Sequence, residues 1–175
     1  MLKRNKNTKG FTLIELLVVV AIIGLLASVV MSSLSTARLK ARDAKTKSDI
    51  HQIILALELA RDASTDGRFP GSLGWHCLKP SGICWAGNYS GNSTITTALA
   101  PYLPTIPRPV APASTYMYDA YLYYPYYPGP IGSSPAGTYI IYALEADSTA
   151  TTCRGYFAGA YQAGYYYCYY LIEAS

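Results

Sequence analysis

Residues 9–34 read KGFTLIELLVVVAIIGLLASVVMSSL. From Leu16 to Met31 only Gly24 and Ser28 interrupt the apolar run. As a helix, Phe11 to Leu34 would extend about 36 Å, enough to cross the hydrocarbon core of a bilayer. The residues before Phe11 are polar and basic, with Lys3, Arg4, Lys6 and Lys9. The positive-inside rule keeps that end in the cytoplasm and places everything after Leu34 outside it. One residue breaks the pattern. Glu15 puts a carboxylate within a membrane-length apolar helix, which is costly, and such groups usually have a partner.

An ordinary secretory signal ends its apolar region at a small-residue cleavage site. Ser32, Ser33, Ser35 and Ala37 are small, but the chain runs on as SSLSTARLKARD into further helical pattern. The decisive residues lie at the other end of the apolar run. Lys9-Gly10-Phe11-Thr12-Leu13-Ile14-Glu15-Leu16-Leu17 resembles the processing site of type IV prepilins and pseudopilins. The resemblance is strong over residues 6–34, extends as helical character to about residue 60, and is architectural beyond that. It implies that a prepilin peptidase/methyltransferase cuts between Gly10 and Phe11 and methylates the new Phe11 amine. It also implies that Glu15 of an incoming subunit pairs with the Phe11 amine of a neighbour, offsetting the burial of both charges and setting axial register. The partners implied are further copies of the chain in a helical filament, the lipid bilayer before assembly, and a membrane-embedded assembly platform.

The amphipathic continuation supports a single long helix. Residues 35–61 contain neither Gly nor Pro. Ala37, Ala41, Ala44, Ile50, Ile53, Ile54, Leu57 and Ala60 recur at three- and four-residue steps and predict one apolar face. Arg38, Lys40, Arg42, Asp43, Lys45, Lys47 and Asp49 fall on the other, expected to be a solvated face with i,i+4 pairs such as Asp43 with Lys47. A collar of charge contacts with adjacent subunits or lipid head groups is the functional alternative. Many pilins carry a proline in the apolar helix; here the first proline is Pro70.

From residue 63 short runs alternate with Pro, Gly, Ser and Thr. PYLPTIPRPVAP, residues 101–112, reads as an extended loop. Tyr116 to Tyr124, Thr138 to Glu145 and Gly164 to Ile172 read as three strands of an antiparallel sheet packed on the amphipathic half-helix. The expected fold is α+β and ladle-shaped. Its parts are a cleaved leader at 1–10, a transmembrane and filament-core half-helix at 11–34, an amphipathic half-helix at 35–62 and a Tyr-rich head at 63–175.

Four cysteines allow three pairings, and a location outside the cytoplasm favours disulfides. We expect Cys77–Cys84, closing a short loop around Pro80-Ser81-Gly82, and Cys153–Cys168, which resembles the C-terminal disulfide loop of many type IV pilins. Each loop closure would contribute roughly 2–3 kcal/mol. A zinc site is the weaker reading, since there is no CxxC and the only histidines are His51 and His76. Asp119, Glu145 and Asp147 are weak Ca²⁺ candidates. Asn88-Tyr-Ser and Asn92-Ser-Thr match the N-glycosylation pattern.

All 18 tyrosines fall between Tyr89 and Tyr170. A three-stranded sheet cannot bury that many, so one set should face outward, for adhesion or for packing between subunits.

The net charge of +4 sits in the leader. Beyond residue 10 the remaining ten Lys and Arg balance ten Asp and Glu, which argues against nucleic acid as the main partner. No phosphate loop, HExxH or nucleophile elbow is present, so we expect neither an enzyme nor a cofactor. Two functions fit: a structural subunit of a surface pilus serving attachment, motility or DNA uptake, or a major pseudopilin of a type II-like secretion system.

Overall fold

The structure, a computed structural model, describes residues 10–85, 87–109, 120–129, 135–145, 156–162 and 165–174. The chain divides into two compact units, Met1–Arg38 and Leu39–Ser175. A 50-residue helix, α1 (Leu13–Asp62), supplies secondary structure to both. At about 1.5 Å per residue it is some 75 Å long.

In the first unit the helical residues are exposed along their whole length, from Leu13 to Arg38. The leucines, isoleucines and valines between Leu13 and Leu34 are each roughly half exposed or more. This is the segment long and apolar enough to cross a membrane. Among the described residues of this unit nothing buries that surface, and exposed apolar surface of this extent marks a contact with a membrane or another protein.

In the second unit α1 packs on a seven-stranded sheet and ends at a turn. The Leu59 and Arg61 carbonyls accept from the Ala63 and Ser64 N–H groups, and Gly67 follows with φ 64°. The strands are β1 (His76–Cys77), β2 (Ile83–Cys84), β3 (Tyr89–Gly91), β4 (Leu122–Tyr127), β5 (Gly137–Leu144), β6 (Tyr156–Gln162) and β7 (Tyr165–Ala174). Their spatial order is β2-β3-β1-β4-β5-β7-β6. All neighbours are antiparallel except β1 with β3. A short helix, α2 (Ser93–Leu99), is capped by the Asn92 side chain.

The three expected strands correspond to β4, β5 and β7, and the sheet extends beyond them at both edges. Residues 116–119 lie outside the described residues, and β4 runs on to Tyr127 through Pro125. A proline inside a strand is tolerated at a bulge, and the β4–β5 register shifts there, between Tyr124 and Tyr127. Tyr126 takes the left-handed φ of 57° that the bulge demands.

The sheet has two apolar faces. On one, Ile50, Ile53, Ile54, Leu57 and Ala60 of α1 meet Tyr121, Tyr123, Ile140, Tyr142, Leu144 and Cys168, with Phe69, Ile95 and Leu99 closing the end. On the other, Leu122, Ile141 and Tyr167 are covered by the 75–91 segment, with Cys77 and Cys84 buried and Trp75, Trp85 and Tyr89 half-buried. Trp75 is the hub of that layer, its ring centroid 4.9 Å from Tyr124, 5.9 Å from Tyr127 and 6.4 Å from Tyr169.

This second layer covers the described tyrosines on the outer face, while the side chains of Tyr116, Tyr118, Tyr156, Tyr161, Tyr165 and Tyr166 lie outside the described residues. Among the described tyrosine side chains only Tyr102 is exposed, at 38%. The sheet is wider than three strands, and its described central part is buried on both sides.

The helix face also needs correction. Ala37, Ala41 and Ala44 are exposed, while Asp43, Thr46 and Asp49 are buried. The cause lies in the sheet. The Glu145 backbone N–H, just past the end of β5, requires an acceptor, and Asp43 Oδ1 supplies it at 2.8 Å. The Tyr121 hydroxyl donates to Asp49 Oδ2 at 3.0 Å, and Lys45 Nζ reaches the same oxygen at 2.5 Å. Arg42 clasps the Glu145 carboxylate through Nε at 3.1 Å and Nη2 at 2.6 Å. The charged run is therefore in part a buried latch between helix and sheet, and its i,i+4 ion pair is Lys45–Asp49.

Candidate processing and assembly site

The candidate processing and assembly residues cluster at the start of α1. Gly10, Phe11 and Thr12 precede the first helical residue, Leu13, and all three are exposed. Phe11 is 87% exposed, and nothing stands within 4 Å of where a Gly10 side chain would begin. The Gly10–Phe11 bond thus lies in open, non-helical chain immediately before a helix. A peptidase needs that geometry, because a bond inside hydrogen-bonded helix cannot be drawn out into a cleft.

Thr12 and Glu15 form a reciprocal cap. The Thr12 N–H and hydroxyl donate to Glu15 Oε2 at 2.8 and 2.7 Å. The Glu15 N–H donates back to Thr12 Oγ1 at 3.2 Å. This is the capping box, in which an N-cap Thr and the third residue after it satisfy donors that the helix leaves unpaired. The sequence reading weighed Glu15 only as a charge in a membrane segment and missed this local role. The Thr-x-x-Glu spacing before an apolar run carried the signal. Glu15 also sits in the first turn, where the helix dipole favours an anion. Its carboxylate is held at the end of the helix facing Phe11, whose amine would appear once the Gly10–Phe11 bond is cut.

Residues 5–31 match the prokaryotic N-terminal methylation motif. The N-terminus therefore carries that motif. A stretch of 38 residues is 58% identical to the type IV wide pilus major component PilA4 of Thermus thermophilus. That stretch spans 22% of this chain and 29% of the relative. No solved structure matches the chain. The likeness is thus carried by the N-terminal motif and its helix. The α+β arrangement, a long N-terminal apolar helix packed on a mostly antiparallel sheet, is pilin-like.

The remaining sequence candidates belong to the second unit. Cys77 and Cys84 are joined by a disulfide, with Cα atoms 6.2 Å apart, that staples the 75–91 segment over the outer sheet face. Cys168 is disulfide-bonded on the helix-facing side of β7. Cys153 lies outside the described residues. Of the Ca²⁺ candidates, Asp119 and Asp147 lie outside the described residues, and Glu145 is engaged by Arg42. No group of three or more metal-binding side chains occurs among the described residues. His51 is exposed on α1. His76 Nε2 lies 2.8 Å from the Ser72 carbonyl, and its Nδ1 faces Asn92 Nδ2 at 3.4 Å, which suits a neutral ring protonated at Nε2.

Proposed function

We propose that this chain is the structural subunit of a type IV pilus-like extracellular filament. In this reading it is held by its apolar helix in the cytoplasmic membrane, with the N-terminus inside, until assembly. Cleavage after Gly10 removes the basic leader, and Phe11 becomes the methylated N-terminus. The Phe11 ammonium of one subunit then pairs with Glu15 of the next as both leave lipid for the filament interior. The Cys153–Cys168 link belongs to the same proposal, as the closing loop of the head.

The observation that carries the reading is the open Gly10–Phe11 bond set directly before a fully exposed apolar helix whose first turn holds Glu15. A free-standing soluble protein has no use for that surface, whereas a bundle of identical helices buries it completely. The PilA4 likeness favours a pilus over a secretion pseudopilus.

Imaging cell-surface filaments in strains with and without the chain tests the proposal. Filaments should vanish on deletion and return on complementation. Intact filaments in the deletion strain, together with lost protein secretion, would assign the chain to a secretion pseudopilus instead.

A further inference from the structure

Two Asn-x-Ser/Thr patterns, at Asn88 and Asn92, lie four residues apart, and the fold treats them very differently. Asn92 is committed. Its Oδ1 accepts from the Thr94 and Ile95 N–H groups at 2.9 and 3.4 Å as the cap of α2, and its Nδ2 faces His76 Nδ1 at 3.4 Å. A substituent on Nδ2 would enter that contact.

Asn88 is exposed, as is Ser90, the hydroxyl residue of its pattern. Asn88 ends a tight turn at the tip of the β2–β3 hairpin. Its N–H donates to the Trp85 carbonyl at 3.0 Å, and Gly87 takes φ 90°. The turn brings the fourth residue back beside the first, so Asn88 stands next to the half-buried Trp85. Trp85 is itself backed by Tyr89 and Tyr167, each with its ring centroid 5.9 Å away. The Cys77–Cys84 disulfide anchors the base of the hairpin.

We propose that the folded protein carries an N-linked glycan at Asn88 and none at Asn92. The Asn88 carboxamide Nδ2 attacks the anomeric carbon of a lipid-linked saccharide. The Nδ2–C1 bond forms as the bond from C1 to the lipid phosphate oxygen breaks. The amide gives up one proton, and the lipid phosphate leaves as the anion. The transfer occurs while the chain is still extended, because Ser90 later pairs with Ile83 in the sheet. Folding then accepts a glycan at Asn88, where the first sugar lies along the open part of the Trp85 indole and stacks its C–H face on the ring. A saccharide on Asn92 Nδ2 would instead enter the contact with His76 Nδ1, so a chain modified there does not reach the folded state. The inference rests on the proposed export of the residues after Leu34, since the donor lipid presents its saccharide outside the cytoplasm.

Peptide mapping by mass spectrometry on the chain isolated from its own cells, with the N-terminus read in the same experiment, is the test. A saccharide mass increment should sit on Asn88 and none on Asn92. Ser90→Ala should abolish the increment although Asn88 is untouched, Ser90→Thr should keep it, and Thr94→Ala should leave it unchanged. An unmodified Asn88, or a saccharide on Asn92, overturns the proposal. The N-terminus reports separately on the export reading. A glycan at Asn88 on chains that retain Met1 would sustain the modification site and count against the processing step.

Discussion

Tyr121 and Tyr123 form a matched pair that isolates the worth of the helix–sheet latch. Both precede or lie in β4, both face α1, and their exposures are 2% and 0%. The Tyr121 hydroxyl donates to Asp49, whereas the buried Tyr123 hydroxyl has no hydrogen-bond partner among the described residues. Tyr121→Phe therefore removes a buried hydrogen bond to a charged group, a loss of about 1.5–3 kcal/mol. The lower end applies, because Asp49 keeps Lys45 at 2.5 Å. Tyr123→Phe removes an unsatisfied buried hydroxyl and should be neutral or stabilise by about 1 kcal/mol. The two variants should thus differ by about 1.5–2.5 kcal/mol although their chemistry is identical. For a unit of this size, at roughly 4 °C per kcal/mol, the gap in melting temperature is about 6–10 °C. The assay is thermal unfolding of the mature chain in detergent, followed by near-ultraviolet circular dichroism with disulfides intact. Equal shifts in both variants would refute the assignment of the Asp49–Tyr121 contact as a stabilising latch.

Glu15→Val should leave membrane insertion unharmed and cleavage after Gly10 intact, while mature monomer accumulates in the membrane and filaments fail, as read by cell fractionation and imaging; normal filaments would remove the carboxylate from the assembly mechanism. Terminal sequencing with mass measurement should find Phe11 first in assembled protein and carrying a methyl group, and retention of Met1 in filaments would contradict it. Peptide mapping without reduction should join Cys77 to Cys84 and Cys153 to Cys168, a free thiol at Cys153 being the adverse result. Burial, and for Tyr121 also the neighbouring Asp49 carboxylate, pushes the Tyr121 and Tyr123 hydroxyl pKa values well above the usual tyrosine value. Above about pH 10 the unfolded chain loses those protons and the folded one does not, so head stability should be flat below that pH and fall above it, by up to about 1.4 kcal/mol per pH unit for each tyrosine. A denaturant titration at pH 8 to 11.5 showing no loss would count against their burial.

What the amino-acid order determined by itself lies mostly in the first 60 residues, and the reason is that the information there is local. A membrane-length apolar run, a basic leader, Gly10-Phe11 and Glu15 are each readable from neighbours a few positions apart, and so was the Thr12–Glu15 cap that the reading passed over. Two of the central strands, β5 and β7, were legible for the same reason, since alternation within eight or ten residues defines them. Tertiary structure alone decided the rest. β1, β2 and β3 are two or three residues long and show no periodicity; they exist because a disulfide and neighbouring strands hold them. Pro125 reads as a break until a bulge across β5 accommodates it. Ala41 and Ala44 have the apolar character of a buried face and Asp43 and Asp49 do not, yet the aspartates are inside. A donor 102 residues further along the chain, the Glu145 N–H, and the Tyr121 hydroxyl determine which side of α1 is buried there. Hydrogen-bond partners separated so far in sequence leave no trace in local pattern, because the free energy that selects the face belongs to the pair and not to either residue.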